Sequence, residues 1–70
     1  MCRIAFKSLT AAESAKRLLT SRGIACEVVA IDPALTKRGC SNGVSLPSPS
    51  CKRALEILDD KRIQHGDVIR

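Results

Sequence analysis

The sequence predicts an α+β fold of six elements, in the order strand, helix, strand, strand, helix, strand. Three observations predict it. Period-two alternation opens the chain, apolar stripes at helical spacing follow twice, and Gly or Pro stands at the breaks. Two split β-α-β units in this order close into a ferredoxin-like two-layer sandwich, an antiparallel four-stranded sheet with both helices on one face. Each crossover is expected to join parallel neighbours in the right-handed sense. The 70 residues can hold one core only, so residues 1–70 are read as one domain.

Residues 2–7 place Cys2, Ile4 and Phe6 on one side and Arg3, Ala5 and Lys7 on the other, the pattern of a half-buried strand. Ser8 or Thr10 can cap the first helix, and Thr10-Ala11-Ala12-Glu13 has the form of a capping box. Ala11, Ala12, Ala15, Leu18 and Leu19 make its apolar stripe, and Gly23 is a natural stop. Residues 24–31 read as the second strand, ended by Asp32-Pro33 because proline cannot donate to the ladder. Residues 34–42 connect it to a short third strand at 43–46. Ser48 as cap with Pro49 at the first helical position opens the second helix, which buries Ala54, Leu55, Ile57 and Leu58. Asp59 and Asp60 oppose the dipole at its end, which is expected to fray. Residues 63–69, interrupted at His65-Gly66, give the last strand. The sheet face away from the helices is expected to show Arg3, Ala5, Lys7, Val29 and Ile31.

Composition narrows the function classes. Apolar residues are 44% and charged residues 27%, values of a globular chain rather than a disordered one. A domain this small buries about 60% of its unfolded surface, which favours a surface site over a deep pocket. No apolar run approaches the ~20 residues of a membrane span, and the N-terminus lacks the apolar stretch of a signal peptide, so the expected setting is cytoplasmic with no membrane partner. Net charge is +5, with Lys-Arg pairs at 16–17, 37–38, 52–53 and 61–62. Such charge suits an anionic ligand, an acidic protein or nucleic acid. A single aromatic, Phe6, disfavours nucleic acid, because there is nothing on which to stack bases.

The four cysteines, Cys2, Cys26, Cys40 and Cys51, include no close pair, and the only histidine is His65, so no metal site or other cofactor is expected. Without a secretory segment the thiols are expected to be reduced. Cys2 and Cys26 alternate with apolar residues and read as core. Following chain direction places the loop after the second strand, with Cys40, beside Ser8-Leu9-Thr10. Cys2 and Cys51 fall at the other end. Cys40 collects the features that favour a thiolate: Lys37 and Arg38 precede it, a helix N-terminus faces it, and Gly39 and Gly43, with Ser41-Asn42 between, suit an anion-binding nest. A thiolate is the sulfur-accepting form. The competing reading is an exposed loop cysteine in a Ser41-Asn42-Gly43 turn. Cys51, beside Lys52-Arg53, has a weaker case. His65 reads as a turn residue, and Asp32 and Asp67 as turn caps.

Phe6-Lys7-Ser8, Ala15-Lys16-Arg17-Leu18-Leu19 with Gly23-Ile24, Gly39-Cys40-Ser41-Asn42-Gly43-Val44, then Ala54-Leu55 and Ile63, resemble the small bacterial and archaeal selenium/sulfur carrier protein-like domains. The resemblance runs over nearly the whole chain and matches that family's cysteine to Cys40. In many members Gly follows that Cys directly, whereas Ser41-Asn42 intervene here. It implies a protein that holds a persulfide or perselenide on Cys40 and passes it on, a carrier rather than a catalyst, with a sulfurtransferase-like or selenium-metabolism protein as partner. Two other classes stay open. One is a binding or regulatory module for RNA, an anionic ligand or a protein. The other is a structural or ligand-sensing subunit that forms a homodimer through the open sheet face.

Overall fold

The computed structural model describes residues 1–36 and 41–69. Strand β1 (Cys2–Phe6) leads into helix α1 (Leu9–Ser21), then strands β2 (Glu27–Ala30) and β3 (Asn42–Leu46), helix α2 (Cys51–Asp60) and strand β4 (Val68–Ile69). The sheet order is β2-β3-β1-β4, and all three pairings are antiparallel. The crossovers therefore do not join parallel neighbours, contrary to the expectation from sequence. β3 lies between β1 and β2, and β1 lies between β3 and β4. Each β-α-β unit opens to admit a strand of the other, so chain direction alternates across the whole sheet.

Register fixes the two faces. Cys2 pairs with Leu46, Ile4 with Val44 and Val68, and Val28 with Val44. These side chains meet Ala12, Ala15 and Leu19 of α1 and Ala54 and Leu58 of α2 in the core. The small alanines let both helices sit close to the sheet. Phe6, Ile4, Leu19, Leu46 and Leu58 are fully buried, each contributing about 1.5–3 kcal/mol of transfer free energy.

The opposite face is better covered than the strand parity predicts. Ala5 and Ile31 are buried, at 0% and 2% exposure. Gly43 stands opposite Ala5 and has no side chain, and the Ile31 side chain fills the slot this leaves. Arg3 and Val29 are half-buried there, and Lys7, beyond the strand end, is exposed.

Ser8, in extended conformation, caps α1: its hydroxyl accepts the Ala11 N–H at 3.1 Å. The expected capping box at Thr10 does not form, because the helix has already begun at Leu9. Gly23 at φ +83° closes the other end as expected, its N–H bonded to the Thr20 carbonyl and that of Ile24 to Leu19. This use of the Ile24 amide explains why β2 starts at Glu27 and not at Ile24. Asp32 caps a single 3₁₀ turn, Pro33–Leu35, through Oδ1 to the Ala34 N–H at 3.0 Å.

Ser48 makes no side-chain cap. A 3₁₀ turn, Ser48–Ser50, leads into α2 instead, with the Ser50 N–H on the Pro47 carbonyl. The end of α2 is closed rather than frayed. The Arg62 N–H bonds to Asp59 and that of Ile63 to Leu58, the same closure as at Gly23, with Arg62 at φ +57°. Because Ile63 serves this closure, the last strand shrinks to Val68–Ile69, extended by the Gly66 N–H on the Ala5 carbonyl and the Ala5 N–H on the Asp67 carbonyl. Among the described residues, no helix is long and apolar enough to cross a membrane.

Candidate functional site

Alternation of strand direction brings six chain segments to one end of the sheet: the ends of β1, β2 and α2 and the starts of α1, β3 and β4. The residues that sequence singles out belong to the connection from β2 to β3. Lys37, Arg38, Gly39 and Cys40 lie outside the described residues, and so does the expected proximity of Cys40 to Ser8-Leu9-Thr10.

Ser41 is exposed, and its carbonyl accepts the Ile31 N–H at 2.9 Å. Asn42 opens β3 opposite both Phe6 and Ala30. Gly43 follows within the ladder, between Ala5 and Val29. Asn42 and Gly43 are thus sheet residues and not part of a loop nest. Glycine is required at position 43 by packing: a Cβ would lie 2.6 Å from the Ile4 carbonyl oxygen and collide with the Ile31 side chain.

The cysteines divide sharply. Cys2 and Cys51 form a disulfide with Cα atoms 5.8 Å apart, and both are buried. This corrects the expectation of reduced thiols. Cys2 opens β1 and Cys51 opens α2, so both lie at the same end of the sheet, within reach of each other. Cys26 is a free thiol, half-buried against the core beneath α1. Its Sγ lies 3.6 Å from the Lys16 carbonyl and 3.7 Å from the Thr20 hydroxyl, so it is engaged locally.

A second feature occupies this same end of the molecule. An open cleft of about 610 Å³ is lined by Lys7, Asp59, Arg62, Ile63, His65 and Gly66 among others. Lys7 comes from the end of β1, Asp59 from the last turn of α2, and the rest from the connection to β4. His65 Nδ1 lies 2.8 Å from the Gly66 carbonyl, which can only accept, so Nδ1 carries the proton and Nε2 is the acceptor of the neutral ring. Sequence reading separates these residues: Lys7 reads as part of a sheet face, Arg62 as one of four basic pairs, His65 as a turn. Only the packing of α2 and β4 against the end of β1 joins them.

Comparison with models of known protein families, with characterised proteins and with solved structures yields no match to this chain.

Proposed function

We propose that this protein carries sulfur or selenium as a persulfide or perselenide on Cys40 and delivers it to a partner protein. One observation supports the choice of residue. Of the four cysteines, two are joined in a buried disulfide and a third, Cys26, is packed beneath a helix with its thiol on a carbonyl. Cys40 is the cysteine these arrangements leave for chemistry. In the loading step its thiolate attacks the outer sulfur of a donor persulfide. The new bond is Cys40 S–S, the donor's S–S bond breaks, and the donor leaves as a thiolate, with no net oxidation. Lys37 and Arg38 stabilise the anion, and Gly39 and Ser41 shape the approach. The partner is a sulfurtransferase-like or selenium-metabolism protein.

The ferredoxin-like assignment belongs to the same proposal, supported by the two interleaved β-α-β units and the fully antiparallel sheet. Burial of Phe6 at 0% exposure disfavours the nucleic-acid reading, since no aromatic is left to stack a base.

The test is incubation of the protein with a cysteine desulfurase and free cysteine, followed by peptide mass spectrometry without reductant. The expected result is one added sulfur on the Cys40 peptide, lost in Cys40→Ser. An adduct on Cys26 alone, or none on either thiol, overturns the proposal.

A further inference from the structure

The cleft at the end of β1 has a donor and acceptor set of its own. Lys7 and Arg62 bring two cationic side chains, Asp59 a carboxylate and His65 a ring whose Nδ1 is already engaged by the Gly66 carbonyl, with Ile63 as the apolar wall. Among the described residues, no ion pair takes up Lys7, Arg62 or Asp59. The cleft volume of about 610 Å³ falls within the range of small-molecule sites.

Arg62 supplies an independent pointer. It occupies the left-handed position that ends α2, at φ +57°, where glycine is favoured. The equivalent position after α1 is Gly23. A β-carbon at such a position is unfavourable, so the arginine side chain is carried at a conformational cost, and it lines the cleft.

We propose that this cleft binds a phosphate monoester of a small polyhydroxylated molecule. Lys7 and Arg62 hold the phosphate through charge-assisted hydrogen bonds, with the guanidinium able to engage two oxygens. Asp59 and His65 Nε2 accept from hydroxyls on the same ligand. Cations suit the phosphate and the acceptors suit hydroxyls, so the combined set favours an ester over either of its halves. This site is independent of Cys40 and of the carrier reading.

The experiment is an amide chemical-shift titration of the full chain at low salt, with ribose 5-phosphate, inorganic phosphate and ribose in separate arms. Saturable shifts at Lys7, Arg62 and Gly66 are expected with the ester, with weaker binding of phosphate and weaker still of ribose. Arg62→Gly is the decisive variant, because glycine suits the positive φ and the fold is retained. It is expected to weaken the ester about tenfold or more, the loss of a charge-assisted contact. Asp59→Asn is expected to weaken the ester without weakening inorganic phosphate. Absence of saturable shifts overturns the site, and so does undiminished ester binding by Arg62→Gly. Phosphate or ribose binding as tightly as the ester overturns the ligand class.

Discussion

Reduction of the Cys2–Cys51 bond removes a cross-link between residues 49 apart in sequence. In the chain-entropy treatment, a loop of that size stabilises the fold by about 4 kcal/mol at 25 °C, through restriction of the unfolded chain. A domain of 70 residues at roughly 0.05–0.15 kcal/mol per residue has about 4–10 kcal/mol in total. The bond thus accounts for a large share of the stability. The reduced thiols remain small and weakly polar in their buried sites, so native packing changes little and the effect reads mainly on the unfolded state. With a urea slope near 1 kcal/mol per molar, the unfolding midpoint is expected to fall by roughly 3–4 M on reduction. Far-UV circular dichroism in urea, with and without a phosphine reductant, measures this. Alkylation of the denatured, unreduced chain should modify Cys26 and Cys40 only. Modification of all four cysteines without reductant, or coincident urea curves, would refute the pairing and the accounting that leaves Cys40 for chemistry.

Ser8→Ala removes the hydroxyl that accepts the Ala11 N–H and is expected to cost about 1 kcal/mol, whereas Thr10→Ala stays within about 0.5 kcal/mol; equal losses in chemical denaturation would mean that Ser8 is not the cap. Gly43→Ala drives a Cβ against the Ile4 carbonyl and is expected to cost about 1–3 kcal/mol or prevent folding. Trimming Ile31 to Val in that background should not restore stability, since the obstacle is backbone; full rescue would show that the side chain alone sets the limit.

Much of the fold was legible because it rests on local rules. The alternation of Cys2, Ile4 and Phe6 named the buried side of β1, and the alanine and leucine stripe named the face of α1. Gly23 marked its end through a conformation that other residues avoid. Arg62 left no such mark, because its positive φ follows from how α2 is closed and not from residue type. The differences at Thr10 and Ser48 have one form: each site offers two hydroxyl residues two positions apart, Ser8 and Thr10, then Ser48 and Ser50, and the helix start falls on the other one of the pair.

Residue identity by itself determined the number and kind of elements, the inward side of each main strand, and the chain direction that groups loops at either end. These depend on side-chain period and on near neighbours along the chain. Only the tertiary structure decided that strands of the two units interleave, that Cys2 bonds to Cys51, that Ile31 covers Gly43, and that Lys7, Asp59, Arg62 and His65 share a cleft. The physical reason is common to all four. Each joins residues far apart in the chain, and such contacts are set by how whole elements pack rather than by any local preference.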